Sequence, residues 1–241
     1  MLLPLHSILQ LLLDAGAAVN VVDDKGRTPL FSAARYRHAG TVALLLCRQA
    51  DMNLADIKDR TPLLAAAEHG HINTINLLLE KGANYLAFDK KGRSALHEAA
   101  QNGHELCTSL LCRSAQSTGF TLCFFPLLNS PLYSMCPELI DHRDVKGVTA
   151  LMTASAMSHP LVVQRLIDAR AAINSPDYKG RTPLITAVGV GAIDVVEALC
   201  SAGANLALTA ERGRSALHAA VECVTLFPRC IFVTLFACTT P

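Results

Sequence analysis

The stretch DKKGRSALHEAAQNGH, residues 89–104, decides the fold of this 241-residue chain, because close copies of it recur along the sequence. Each copy places a Thr or Ser just before a run of small and apolar residues. A hydroxyl there can cap a helix N-terminus, and the glycine near the end of the stretch favours the left-handed conformation that ends a helix. The stretch therefore predicts a short helix with a defined beginning and end. Its copies align on Thr28, Thr61, Ser94, Thr149, Thr182 and Ser215.

The copies follow a fixed period. Successive alignment positions differ by 33 residues, except for one step of 55 between Ser94 and Thr149. A period of 33 with the pattern T-P-L-H-x-A indicates a repeat architecture in which neighbouring copies stack. On these residues the sequence resembles the ankyrin-repeat family, over nearly the whole chain apart from an insertion and the C-terminal tail.

The resemblance implies an all-α fold, an ankyrin-repeat solenoid of stacked helix-turn-helix units with projecting β-turn fingers. No unit can bury its apolar face alone, so each copy supplies a wall for the next. The leucine two residues after each Thr or Ser is expected in the core: Leu30, Leu63, Leu96, Leu151, Leu184 and Leu217. The expected segments are a partial unit at 1–22, repeats at 23–55, 56–88, 89–117, 140–176 and 177–209, and a partial repeat at 210–223.

Two segments depart from the period. Residues 118–139 are apolar, contain three prolines and show no helical pattern. This insert is interpreted either as a binding loop, as a poorly ordered insert, or as residues that do not belong to the mature protein. The tail at 224–241 is also apolar. Because neither end of the chain has the polar outer face of a capping unit, we expect a segment of a longer array, self-association through the apolar ends, or a partner.

Composition narrows the class of protein. The chain is 51% hydrophobic and 17% charged, which excludes a disordered chain. A net charge of +1 argues against attraction of the whole molecule to nucleic acid or membrane. Nine scattered cysteines without a CxxC pair favour a reducing compartment, the cytoplasm or the nucleus. No uninterrupted apolar run reaches the length of a membrane span.

Catalytic, cofactor and metal sites are not expected. The histidines belong to the repeat pattern: His71 and His104 fall in Gly-His turns, and His97 and His218 fall in the T-x-L-H slot. In the ankyrin-repeat family the imidazole in that slot hydrogen-bonds between units. The fragment G-x-G at Gly189 and Gly191 lacks the third glycine and the preceding strand of a dinucleotide site.

Basic residues recur in two rows of the predicted fingers. One row lies three residues before each Thr or Ser: Lys25, Lys58, Lys91, Lys146, Lys179 and Arg212. The other lies one residue before it: Arg27, Arg60, Arg93, Arg181 and Arg214. The favoured interpretation is family consensus, with nearby aspartates balancing the charge. The alternative is a stripe that docks an acidic protein segment.

A second candidate surface lies at the ends of the first helices, which line the concave side of the solenoid in the ankyrin-repeat family. Its residues, together with the finger residue Tyr178, are Arg35, Tyr36, Glu68, His69, Gln101, Asn102, Met157 and Val190. These residues differ from copy to copy. Such variation is expected of a surface tailored to a partner, and equally of a surface under no constraint. The expected function is therefore recognition of a partner protein by a non-catalytic scaffold or adaptor. Two alternatives stay open: the substrate-recognition arm of a ubiquitin ligase or other enzyme complex, and the ankyrin segment of a larger channel or membrane–cytoskeleton linker.

Overall fold

The computed structural model describes residues 3–121 and 137–226, and helices dominate both ranges. The chain forms two compact units, Met1–Leu139 and Ile140–Pro241. The helices of the first unit are α1 (Leu3–Asp14), α2 (Pro29–Arg35), α3 (Ala39–Cys47), α4 (Pro62–Glu68), α5 (Ile72–Glu80), α6 (Ala95–Gln101) and α7 (Glu105–Thr121). One helical turn, α8 (Pro137–Ile140), lies at the unit boundary. The second unit contains α9 (Ala150–Ala156), α10 (Pro160–Asp168), α11 (Pro183–Val190), α12 (Ile193–Ser201) and α13 (Ala216–Leu226), with the short strands β1 (Thr209–Ala210) and β2 (Arg214–Ser215).

The first helix of each repeat begins where the capping pattern predicts. In α2, Oγ1 of Thr28 accepts a hydrogen bond from the backbone N–H of Phe31 at 3.0 Å. A proline follows the cap, where the missing N–H has no intrahelical partner to lose. The same side-chain cap is present at Thr61, Ser94, Thr149 and Thr182.

Helices of the same type stack within each unit. In the first unit α2 contacts α4 and α4 contacts α6, while α3 contacts α5 and α5 contacts α7. In the second unit α11 lies between α9 and α13, and α10 contacts α12. Alanines such as Ala66 and Ala67, both fully buried, let these short helices approach closely. The expected all-α repeat fold is confirmed.

The predicted core leucines are buried, with one exception. Leu30, Leu63, Leu96, Leu151 and Leu184 expose 3% or less of their surface, but Leu217 exposes 75%. The prediction for Leu217 is wrong because α13, within the described residues, has no second helix packed on it. The converse holds in α1, which lacks a first helix: Leu12 is 55% exposed, whereas Leu45, at the same repeat position, is 1% exposed.

The turn between the two helices of a repeat needs a left-handed residue. Gly70 has φ 71°, and a Cβ at this position would lie 2.6 Å from Nδ1 of His104, so glycine supplies both the conformation and the space. Arg37 and Ser158 replace this glycine in other repeats and keep the same backbone, with φ 63° and 56°. These repeats therefore keep the turn geometry, although the left-handed region is unfavourable for a residue with a side chain.

The insert and the tail fall mostly outside the described residues. Residues 118–121, at the start of the predicted insert, belong to α7, and its last residues belong to α8. The first residues of the predicted tail, 224–226, belong to α13. Residues 122–136 and 227–241 lie outside the described part of the chain. Across the described helices, none combines the length and apolar composition needed to cross a membrane.

Candidate functional site

All of the described fingers except the last are built around the carboxylate of their first aspartate. In the second finger, Oδ1 of Asp56 accepts backbone N–H bonds from Lys58 at 2.8 Å and from Arg60 at 3.0 Å. A short polar side chain that accepts bonds from the following backbone stabilises a tight turn. The same two bonds form at Asp23, Asp89, Asp144 and Asp177. The aspartates are therefore structural residues of the fingers.

The finger arginines pair with these aspartates. Nη2 of Arg60 lies 2.8 Å from Oδ2 of Asp56, and the equivalent pairs are Arg27–Asp23, Arg93–Asp89 and Arg181–Asp177. The hydrogen bond from the Arg27 side chain lowers the pKa of Asp23 to about 2. At Asp56 burial alone would raise the pKa of the carboxyl, but the bonds from Arg60 outweigh it and the pKa is lowered. Four of the five arginines of the predicted stripe are thus engaged within their own fingers.

Three of the arginines also reach the end of the first helix of their own repeat. Nη1 of Arg60 lies 3.2 Å from Oε2 of Glu68, eight residues further along the chain. Nη1 of Arg93 donates to Oε1 of Gln101 at 2.9 Å, again eight residues away. Arg214 forms the corresponding ion pair with Glu222. The fingers and the first-helix ends therefore lie on one surface within each unit, which we call the finger face.

The other basic row is exposed on the finger face. Lys58 donates its backbone N–H to Asp56, but its side chain is exposed. The same exposure holds for Lys25, Lys91, Lys146, Lys179 and Arg212. Neighbouring fingers are joined by backbone bonds: the N–H of Ile57 donates to the carbonyl of Lys25 at 3.0 Å, and that of Tyr178 donates to Lys146 at 3.1 Å. Within each unit these bonds hold successive fingers in register.

The last finger differs because Ala210 replaces the aspartate. Without the carboxylate, Arg212 adopts a left-handed conformation with φ 64°, inside a 3₁₀ turn. Residues Thr209 and Ala210 pair in antiparallel fashion with Ser215 and Arg214. The backbone N–H of Glu211 still donates to the carbonyl of Lys179, at 2.9 Å. The finger thus keeps its bond to the preceding finger but folds as a small strand pair.

The predicted first-helix residues of the first unit contact one another. Nε of Arg35 donates to Nε2 of His69 at 3.2 Å, and the Arg35 guanidinium lies 5.7 Å from the centroid of the Tyr36 ring. Tyr36 is 59% exposed. In the next repeat, Asn102 turns back to donate to the carbonyl of Glu98 at 2.9 Å. This part of the finger face is polar, with one exposed aromatic ring.

The finger face of the second unit is apolar at the first-helix ends and basic at the fingers. Met157 is 49% exposed and Val190 is 45% exposed. Tyr178 is 68% exposed, and the Arg143 guanidinium lies 5.6 Å from its ring centroid. Sequence reasoning missed Arg143. Its place in the sequence could have identified it, because it lies directly before the finger aspartate and an aromatic residue occupies the next finger.

Comparison with known proteins supports the fold. The family model for ankyrin repeats, in three copies, matches residues 5–56, 49–121 and 127–210. This chain belongs to the ankyrin-repeat family. No curated protein matches it. Ankyrin repeats are generally protein–protein interaction modules, and proteins built from them are typically non-catalytic.

Histidines join consecutive ankyrin repeats in the first unit. Nε2 of His71 donates to the carbonyl of Arg35 at 2.9 Å, and Nε2 of His104 donates to that of Glu68 at 3.1 Å. Burial lowers the pKa of His71, and the nearby His69 and Arg37 act in the same direction. Within their own repeats, Nδ1 of His97 lies 2.9 Å from the hydroxyl of Ser94 and Nδ1 of His218 lies 2.8 Å from the hydroxyl of Ser215. The Gly-His turns at His71 and His104 therefore bond each repeat to the one before it.

Other titratable groups serve the ankyrin packing. Burial raises the pKa of the Cys107 thiol to about 11 and that of Cys112 to about 12. Burial also raises the pKa of Glu98, although its carboxylate lies 2.8 Å from Nη2 of Arg93. Within residues 3–121 and 137–226, no group of three or more His, Cys, Asp or Glu residues has a metal-binding arrangement.

Proposed function

We propose that this chain binds a partner protein on the finger faces of its ankyrin repeats and performs no catalysis itself. The supporting observation is the contrast between two sets of equivalent positions. Core positions such as Leu63 repeat the same residue and are buried, whereas the first-helix ends carry Tyr36, Met157 and Val190, which differ and are exposed. Exposed aromatic and methionine side chains of this kind are enriched in protein interfaces.

The proposal also uses the rigidity of the surface. Within each unit, the fingers that carry an aspartate are held by its carboxylate, neighbouring fingers are bonded to one another, and successive first helices pack together. A surface whose backbone is fixed before binding loses little conformational entropy when a partner docks. The finger face therefore suits recognition of a partner whose segment adapts to a preformed surface.

A paired substitution experiment tests the proposal. The full chain is used for affinity capture beside a finger-face variant, Tyr36→Ala with Met157→Ala and Tyr178→Ala. The matched control replaces exposed residues of second helices, Glu80→Ala and Glu197→Ala. We expect the control to retain the captured partner and the finger-face variant to lose it. Equal capture by both variants contradicts the proposal, provided that both show the helical circular dichroism of the unmodified chain.

A further inference from the structure

We propose that the finger face of the second unit binds a segment in which acidic residues alternate with large apolar residues. The carboxylates would pair with Lys146, Lys179 and Arg181, and the apolar side chains would contact Met157 and Val190. This inference rests on the proposed function and adds to it a location and a partner chemistry. Three independent observations support it: the exposure of one arginine, the composition of the finger tips, and the exposed apolar side chains beside them.

Arg181 is the most exposed of the aspartate-paired finger arginines. Its side chain is 47% exposed, compared with 17% for Arg60 and 21% for Arg93. The residue eight positions after Arg60 is Glu68, and after Arg93 it is Gln101, and both accept a bond. The residue eight positions after Arg181 is Gly189, which has no side chain. A guanidinium has five N–H donors in a planar fork, so Arg181 keeps donors directed away from Asp177 that suit an incoming carboxylate.

The first two finger tips of the first unit differ in charge from the first two of the second unit. In the first unit, Lys25 follows Asp24 and Lys58 precedes Asp59, and both aspartates are exposed. Each of these two lysines therefore has an adjacent opposite charge, whereas Lys91 in the third finger lies between Lys90 and Gly92. In the second unit, Lys146 lies between Val145 and Gly147 in the sequence, and Lys179 lies between Tyr178 and Gly180. Lys146 and Lys179 therefore have no acidic residue directly beside them in the chain, although Glu211 of the last finger bonds through its N–H to the carbonyl of Lys179. The backbone bond from Tyr178 to Lys146 places the fingers of the two lysines side by side.

Exposed apolar side chains lie on the same finger face as these charges. Val145 is 61% exposed and Tyr178 is 68% exposed at the finger tips, while Met157 and Val190 are exposed at the first-helix ends. Basic groups beside exposed apolar groups favour a ligand that carries both carboxylates and apolar side chains. An acidic segment without apolar residues would leave the apolar groups uncovered, and a purely apolar segment would leave the cations unpaired.

The test uses a short fluorescein-labelled peptide of Glu-Glu-Leu repeats and measures binding to the full chain by fluorescence anisotropy. The double variant Lys146→Gln with Lys179→Gln is compared with Lys25→Gln with Lys58→Gln, which changes the same finger positions in the first unit. We expect the second-unit variant to weaken binding by about tenfold and the first-unit variant by less than about twofold. Binding should also weaken as salt is added, because the charges are exposed. Equal losses in the two variants, or no binding by the unmodified chain, overturn the inference.

A second variant separates this site from a general loss of structure. Gly189→Glu gives Arg181 a carboxylate acceptor eight residues along the chain, as Glu68 is for Arg60. A Cβ at Gly189 meets no atom of the described residues within 4 Å, so the substitution fits. We expect thermal stability to be unchanged or higher and peptide binding to fall by about tenfold, because Arg181 acquires a partner within the chain. Unchanged peptide binding would exclude Arg181 from the site. If the unmodified chain does not bind this peptide but still captures a partner through Tyr36, the inference alone is overturned and the proposed function stands.

Discussion

Nε2 of His71 lies 2.9 Å from the carbonyl oxygen of Arg35, a residue 36 positions earlier in the chain. The bond joins the turn of one repeat to the end of the first helix in the preceding repeat. Since His104 makes the same bond to Glu68, the contact recurs wherever two such turns are adjacent in the first unit. Coupling between neighbouring repeats is thus partly polar, in addition to the packing of leucines and alanines.

Replacing His71 tests this coupling. We expect His71→Ala to lower the free energy of unfolding by about 1 kcal/mol, the usual net value of one hydrogen bond. His38 is the matched control, because it occupies the same repeat position but is exposed, whereas His71 is half-buried. Urea denaturation followed by circular dichroism measures both variants. A loss in His38→Ala as large as that in His71→Ala would contradict the assigned role.

The same residue predicts a pH dependence. Burial holds the pKa of His71 below its ordinary value of 6.5, so the unfolded chain binds this proton more readily than the folded chain. The stability contributed by neutral His71 is present above 6.5 and is lost as the pH falls through the folded-state pKa. We expect the denaturation midpoint to fall between about pH 7 and pH 5, and to fall less steeply in His71→Ala. Parallel curves for the two proteins would show that other groups cause the decline.

Asp141 occupies a position that suits asparagine. Its Oδ1 accepts the backbone N–H of Ala172 at 2.7 Å, and Asn174 accepts the equivalent bond from Asn205 at 2.8 Å. Burial raises the pKa of Asp141, while the Ala172 bond lowers it only in part. The folded chain therefore holds this proton more tightly, and stability falls as the pH rises from the ordinary value of 3.8 through the folded-state pKa.

We therefore expect Asp141→Asn to raise the denaturation midpoint at neutral pH and to have little effect below the ordinary carboxyl pKa of 3.8. An amide oxygen accepts the same bond without carrying a charge into the half-buried site. Asp168→Asn is a suitable control, since Asp168 is an exposed residue of a second helix. An equal gain at every pH would point to a cause other than the carboxylate charge.

Thr74 carries a buried hydroxyl that finds no hydrogen-bond partner among the described residues. The residue is 1% exposed, and Val162 and Val195 fill the same position in other repeats, also at 1%. We expect Thr74→Val to raise the free energy of unfolding by about 1 kcal/mol, because burial of an unpaired hydroxyl is removed. Thr108→Val is the control: its Oγ1 donates to the carbonyl of His104 at 3.0 Å, and this variant should gain nothing.

The aspartate of each finger is predicted to determine the finger's shape. Asp177→Ala removes the acceptor for the N–H groups of Lys179 and Arg181, and we expect a loss of about 2 kcal/mol or more. The reverse change, Ala210→Asp, should convert the last finger to the turn of the others. Amide hydrogen exchange at Arg212 measures this conversion, since an aspartate at position 210 would accept its N–H as Asp177 accepts that of Lys179. Unchanged exchange in Ala210→Asp would show that the surrounding residues, and not the aspartate, set the finger's shape.

The repeat fold follows from the sequence because each landmark acts locally. Thr28 caps its helix through a neighbour three residues away, so its role is visible in the pattern alone. The finger face is harder to predict. Spacing places Arg60 near Asp56, but only the folded helix brings Glu68 within reach of the same guanidinium. The exposure of Leu217 has a similar origin, because burial depends on the helix that packs against a residue and not on the residue's own repeat position.

The two buried thiols of α7 have a practical consequence. Cys107 and Cys112, with pKa values of about 11 and 12, are protonated at neutral pH and are covered by packed neighbours. Alkylating reagents attack the thiolate, so these cysteines react only when the helix opens, whereas Cys47 and Cys200 are exposed in the folded chain. The rate at which iodoacetamide modifies Cys107 therefore measures how often this helix detaches, and no probe residue has to be engineered into the protein.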